Sequence, residues 1–243
     1  MLLFVWAMAS CTKENNFENS SGNEENTGSG NGASDTVQIG GYGSYNGHDY
    51  IDFGLPSGTL WATCNVGAVT PEDYGDYFSW GETHSKNYYD WNTYIYCNGG
   101  GDRLTKYCND AIYGEDGFKD YLTTLQPCDD AARVNWGSGW RMPSEDDWNE
   151  LRNNTTITTV AQNNVNGYLV TGLNGYSIFL PFAGSRWQSY LTDSGSSCCY
   201  WSSDLYAHLT PVYAYCLGFN GNVEYERGIR SHGYSVRPVC STH

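Results

Sequence analysis

Short runs in which apolar and polar residues alternate predict β-strands at both ends of the globular part of this chain. The runs Tyr50–Leu55 and Thr59–Val66 are separated by a Pro-Ser-Gly turn. Beyond residue 156 the pattern predicts strands and turns alone, and the main strands are Gly167–Thr171, Tyr176–Leu180, Tyr200–Ser203, Ala214–Phe219 and Ser235–Val239. Short strands joined by turns are typical of antiparallel sheet.

Two helices are predicted in the middle of the chain. Asp129 or Asp130 can cap a short helix that ends before Gly137, because a carboxylate accepts hydrogen bonds from the first helical N–H groups. Ser144 is a natural N-cap for the second helix, whose first turn is acidic and whose inner face carries Trp148. Strands, two helices and strands again indicate an α+β domain with antiparallel sheets.

The packing of the domain can be predicted in outline. The segment Lys86–Asp116 is rich in Tyr, Asn and Gly and is expected to form long loops. Large apolar residues beside the helices and the last strands are expected in the core, namely Trp140, Trp148, Leu151, Phe179, Leu180 and Trp201.

The first 35 residues predict an anchor and a tether. The apolar run Leu2–Met8 is followed by small residues and Cys11, as at the end of a bacterial lipoprotein signal. We therefore expect residues 1–11 to be a lipoprotein signal with a lipidated Cys11, and the protein to be lipid-anchored at the outer membrane or cell surface. Residues 12–35 hold a single large apolar residue and predict a disordered acidic tether. The remaining residues, 36–243, would form the folded domain.

Charge and composition limit the classes of partner that this chain is expected to bind. The formal net charge of −15 argues against a nucleic-acid partner, because phosphate contacts need Lys and Arg. The chain has 21 Tyr and 9 Trp, enough to build an aromatic core and still present amphipathic rings at the surface.

The segment from residue 200 to residue 240 mixes two kinds of position. Framework residues such as Tyr200, Trp201, Ala214 and Val236 alternate with a polar, Tyr-rich set that has no repeat. A rigid scaffold with a variegated Tyr-rich surface is typical of recognition faces, where Tyr supplies contact area at low entropic cost. The predicted ligand-binding residues are Asp204, Tyr206, His208, Thr210, Tyr213, Tyr215, Asn220, Asn222, Tyr225, Arg227, Arg230 and His232.

Several blocks of this sequence resemble a known family. They are FGLPSGTLWATCNVGA, PEDYGDYFSWGE, DDAARVNWGSGWRMPSEDDWNEL, NGYSIFLPFAG, YWSS and GYSVRPV, in that order between residues 53 and 239. Together they resemble the Fibrobacter succinogenes major paralogous domain, which is frequent in lipoproteins of Bacteroidetes. The resemblance implies the C-type-lectin-like fold, which the family shares with the formylglycine-generating, sulfatase-modifying enzymes.

A narrower resemblance concerns residues 204–232. This segment is similar to the variable segment of diversity-generating retroelement proteins, in which adenine-directed mutagenesis cannot produce Lys, Gln, Trp or Met codons. None of those four residue types occurs in it. An ordinary family member with a divergent loop is the alternative.

The sequence contains no recognisable catalytic set. The enzymes of the superfamily use a nearby Cys pair, but Cys198, Cys199, Cys216 and Cys240 lie outside the corresponding motif. Adjacent acids such as Asp146 and Asp147 suit caps and turns better than acid–base chemistry. We expect no cofactor and no catalytic metal, while a structural cation held by loop carboxylates stays open.

The expected function is therefore a cell-surface adhesion module that binds a protein or glycan ligand through a Tyr-rich face. Two alternatives remain open from the sequence: a degenerate sulfatase-modifying-like enzyme and a structural module of surface fimbriae.

Overall fold

The computed structural model describes residues 41–219 and 223–241, and for Phe219 and residues 223–226 it describes the backbone. The strands are β1 (Tyr42–Tyr45), β2 (His48–Asp52), β3 (Thr59–Ala62), β4 (Trp140–Arg141), β5 (Thr155–Gln162), β6 (Val165–Gly172), β7 (Ser177–Pro181), β8 (Ser185–Trp187), β9 (Tyr190–Thr192), β10 (Cys199–Leu205), β11 (Tyr213–Phe219), β12 (Val223–Ile229) and β13 (Val239–Ser241). The α-helices are α1 (Ala131–Trp136) and α2 (Glu145–Asn154), and short 3-10 helices span Glu115–Gly117 and Pro127–Asp129. Among these residues no helix is long and apolar enough to cross a bilayer.

The strands form antiparallel sheets, and the two helices lie between them in the chain, as predicted for an α+β domain. The largest has the order β1-β2-β3-β13-β4, so strands from both ends of the described chain lie side by side. Two three-stranded sheets follow chain order, β5-β6-β7 and β10-β11-β12, and β8 pairs with β9 as a hairpin. The strand pairs are all antiparallel within the described part of the chain.

Two large aromatic clusters fill most of the interior, and a small third one contains Tyr77 and Tyr89. One of the large clusters gathers around Trp80, Trp140 and Trp201, and the other around Trp61 and Trp148. The prediction of the core is confirmed, because each of its six residues is 2% exposed or less. Trp148 links the clusters, since its ring centroid lies 4.5 Å from that of Trp61 while its indole N–H donates to the Trp201 carbonyl at 3.4 Å.

Both predicted helices are present with the predicted caps. The Asp130 carboxylate accepts from the Arg133 N–H at 3.0 Å at the start of α1. Ser144 and Asp147 form a reciprocal capping box at the start of α2. The box fixes the first turn of α2 at the edge of the β10-β11-β12 sheet, where the Glu145 N–H donates to the Asp204 carboxylate at 2.8 Å.

One strand prediction is wrong, and several strands, β5 among them, were not predicted. The expected strand Ser235–Val239 is wrong over most of its length, because β13 begins only at Val239. Arg237 lies fully buried in that stretch, and its guanidinium donates to the carbonyls of Ala62, Thr63 and Phe179 instead of facing a solvated side. Strand β5 was not predicted, because its Thr-rich sequence is half exposed and carries little apolar alternation.

The long loops expected over Lys86–Asp116 are confirmed, since isolated bridges replace regular strands there. Side chains from elsewhere hold them in place. Buried Asp129 receives hydrogen bonds from Tyr96 and Tyr107 and an ion pair from Lys106. The lowered pKa of Asp129 reflects these donors, which outweigh the opposing effect of burial, the largest single influence.

Candidate recognition site

One side of the β10-β11-β12 sheet faces the first core cluster. The other side is covered by the second cluster at Tyr200 and Leu217, and it is accessible near Tyr213, Tyr215 and Arg227. On β11, Ala214 and Cys216 point into the core, whereas Tyr213 and Tyr215 are half-buried on the other side. On β12, Gly228 packs against the Trp201 ring so closely that a Cβ atom there would lie 2.5 Å from it. The core therefore holds the sheet from the side opposite Tyr213 and Tyr215.

Aromatic rings cover that accessible side. The Tyr206 and Tyr215 ring centroids lie 4.7 Å apart, and the exposed His208 ring stands edge-on to Tyr206 at 6.4 Å. Tyr215 pairs in register with Arg227, whose guanidinium lies 5.3 Å from the Tyr213 ring centroid. We call this surface the tyrosine face, and it comprises Asp204, Tyr206, His208, Tyr213, Tyr215, Arg227 and Glu145.

Two carboxylates border the rings. Asp204 accepts hydrogen bonds from the Thr124 hydroxyl at 2.9 Å and from the Glu145 N–H. The Glu145 side chain is hydrogen-bonded to Tyr215, and its pKa is raised by burial and by the nearby Asp204 charge. Burial, followed by the Glu145 charge, raises the pKa of Tyr215. The tyrosine face therefore offers phenol hydroxyls, carboxylates and one cation side by side.

The structure brings together half of the predicted binding residues. Asp204, Tyr206, His208, Tyr213, Tyr215 and Arg227 share the tyrosine face. Asn220 and Asn222 lie outside the described residues, as does Cys11. Tyr225 is described only by its backbone, which pairs with Leu217. Thr210 lies in the turn before β11 with a buried hydroxyl that has no partner among the described residues.

The expectation that Arg230 is exposed on this face is wrong. Its side chain is fully buried and donates to the carbonyls of Lys106, Tyr107 and Pro211 and to the Tyr94 hydroxyl. The guanidinium fork carries five donors, which suits it to gather carbonyls from separate loops. Arg230 therefore connects the long loops to the end of β12, and its N–H donors are used within the protein rather than offered to a ligand.

His232 is half-buried beyond the edge of the tyrosine face. Its ring stands edge-on to Tyr234 at 6.4 Å, and burial lowers its pKa, which keeps the imidazole neutral. We see no contact between His232 and the ring cluster in the described part of the chain.

Sequence reasoning missed Glu145. It was assigned to the acidic first turn of α2, where acids favour the positive end of the helix dipole. The structure places it in that turn and also beside Tyr215, on a strand seventy residues away in the chain. A signal was available, because Ser144 and Asp147 already complete the cap and leave Glu145 without a capping role.

The described cysteines and acids bear on the enzyme alternative. No disulfide joins cysteines within the described residues. Cys240 is buried, which raises the pKa of its thiol to about 11 and makes it a poor nucleophile at neutral pH. No group of three or more His, Cys, Asp or Glu that could hold a metal ion occurs in residues 41–219 and 223–241.

Comparisons with protein-family models, with curated proteins and with solved structures find no match. The resemblance drawn from the sequence blocks therefore remains an expectation.

Proposed function

We propose that this chain is a ligand-binding or adhesion module with a C-type-lectin-like fold, displayed on the cell surface by a lipid on Cys11. Its tyrosine face would bind a protein or a glycan. One observation carries the proposal. On β11 the half-exposed Tyr213 and Tyr215 alternate with Ala214 and Cys216, which are buried in the core.

The chemistry of the tyrosine face suits adaptable recognition. Rings of Tyr206, Tyr213 and Tyr215 give apolar contact area, and each hydroxyl can donate or accept a hydrogen bond. Arg227 adds a cation and His208 an exposed imidazole. Few rotatable bonds are immobilised when such rings bind, so little entropy is lost on association.

The fold assignment is supported by the positions of the resemblance blocks. Trp61, Trp148 and Trp201 come from three different blocks and meet in the core. Contact between residues of different blocks is expected if the blocks form the common core of one fold. Retroelement diversification would then act on the accessible side of β10-β11-β12, while Leu205, Gly228 and Arg230 in the same segment are buried and would have to stay fixed.

Footprinting of the tyrosines tests the proposal. A binding partner is first selected from arrayed glycans and arrayed cell-surface proteins. Hydroxyl-radical oxidation of each Tyr is then compared with and without that partner. We expect protection of Tyr206, Tyr213 and Tyr215, with no change at the exposed Tyr42 and Tyr121, which lie on other elements. Protection confined to Tyr42 and Tyr121 would place the binding site elsewhere.

A further inference from the structure

A polar cavity of about 340 Å³ lies between the β8–β9 hairpin and the loops that precede it. None of the residues of the tyrosine face lines it. Its wall includes Asp76, Tyr77, Lys86, Asn87, Arg186 and Ser189.

The floor of this cavity is held by hydrogen bonds. The Tyr77 hydroxyl donates to the Ala183 carbonyl at 2.6 Å, and the Tyr89 hydroxyl donates to the Tyr77 carbonyl at 2.7 Å. Tyr89 also exchanges two backbone hydrogen bonds with Gln188 in the hairpin turn. These bonds join the loop to the hairpin, so the cavity is formed before any ligand arrives.

Arg186 is the cationic centre of the cavity. Its guanidinium lies 5.0 Å from the Tyr77 ring centroid, but makes no hydrogen bond or ion pair within the part of the chain that the structure describes. By contrast, Arg103 and Arg141 pair with carboxylates. Lys86 is already matched, because its ammonium binds the Glu82 carboxylate at 2.7 Å.

The other polar side chains of the cavity limit which anions can bind there. Asn87, Ser85 and Ser189 provide amide and hydroxyl groups, which suit a ligand rich in hydroxyls. The Asp76 carboxylate can accept from such hydroxyls and repels a doubly charged anion such as phosphate. A planar carboxylate matches the two parallel N–H donors of a guanidinium.

We propose that this Arg186 pocket binds a sugar acid, with its carboxylate on Arg186 and its hydroxyls on Asp76, Asn87 and Ser189. The site does not depend on the tyrosine face and would act whether or not that face binds a partner.

Titration of the full domain with D-glucuronate tests this, read by calorimetry and by saturation-transfer NMR. We expect glucuronate to bind, neutral D-glucose to bind at least tenfold more weakly, and affinity to fall as ionic strength rises. Arg186→Gln should weaken glucuronate binding at least tenfold, whereas Arg103→Gln, which removes a surface arginine elsewhere, should leave it unchanged.

Each of the following results would overturn the proposal. They are equal binding of glucose and glucuronate, unchanged glucuronate affinity in Arg186→Gln, and inorganic phosphate binding more tightly than glucuronate. If Arg186→Gln fails to fold, Arg186→Lys is used instead, because it keeps the charge but loses the two parallel N–H donors of the guanidinium. This variant should still weaken glucuronate binding several-fold, and unchanged binding would contradict the proposal. Absence of glucuronate binding by the wild-type protein is equally fatal.

Discussion

The side chains of Tyr215 and Glu145 are hydrogen-bonded, which joins the middle strand of the β10-β11-β12 sheet to the first turn of α2. The helix and the sheet thus present one continuous surface. Because Asp204 accepts from the Glu145 N–H, the same turn is fixed twice, once through the side chain and once through the backbone.

This contact predicts a pH dependence of stability. Burial and the Asp204 charge raise the pKa of Glu145, so the folded state holds that proton more tightly than the unfolded state does. The stability contributed by the protonated form is lost as pH rises from the ordinary value of 4.5 through the raised folded-state pKa. Glu145→Gln should therefore gain stability relative to wild type across that window and show a constant difference above it.

Urea unfolding at a series of pH values measures this difference. Glu115→Gln is the matched control with the opposite sign, because Arg103 and Asn98 lower the pKa of Glu115. That variant should lose stability relative to wild type as pH rises toward 4.5. A stability difference between Glu145→Gln and wild type that does not change with pH would argue against the half-buried position of Glu145 beside Asp204.

Trp201 is expected to be the most sensitive framework residue beneath the tyrosine face. It is fully buried, and its indole N–H donates to the Phe78 carbonyl at 2.7 Å. Trp201→Ala should lower the free energy of unfolding by about 3–5 kcal/mol through cavity formation. Trp187→Ala, at a ring that is 48% exposed, should cost far less in the same denaturation experiment. Equal losses would contradict the packing.

Gly228 should tolerate no side chain. A Cβ there would lie 2.3 Å from the Tyr234 ring and 2.5 Å from the Trp201 ring, so β12 would have to move away from the core. Gly228→Ala should cost about 1–3 kcal/mol in thermal or chemical unfolding. At Gly41 a Cβ would meet nothing within 4 Å, and Gly41→Ala should be nearly neutral. A stable Gly228→Ala variant would show that β12 packs less closely than described.

Arg227 and Arg230 are three residues apart and should behave in opposite ways. Removing the Arg230 side chain leaves the carbonyls of Lys106, Tyr107 and Pro211 unsatisfied, so Arg230→Ala should cost about 3 kcal/mol or more and increase hydrogen exchange in the 86–116 loops. Arg227→Ala should leave stability and loop exchange almost unchanged, because Arg227 is exposed. Similar exchange in both variants would refute the anchoring role of Arg230.

The contrast between these arginines shows what the sequence could predict. Caps at Asp130 and Ser144 depend on groups within a few residues, and both were predicted. Whether an arginine on β12 or just after it faces solvent or the core depends on the register with β11 and on loops about a hundred residues away, which no local pattern encodes. The Arg186 pocket was missed for the same reason, since its walls come from loops and a hairpin far apart in the chain.

Affinity measurement with paired tyrosine variants tests the central claim, that the tyrosine face is the binding surface. The partner selected by the arrays is titrated against wild type, Tyr206→Ser/Tyr213→Ser and the control Tyr42→Ser/Tyr121→Ser. Rings central to an interface are each worth about 2 kcal/mol or more, so the first variant should lose at least a hundredfold in affinity while retaining its unfolding transition. The control should bind as wild type does. Wild-type affinity in a folded Tyr206→Ser/Tyr213→Ser variant would contradict the account.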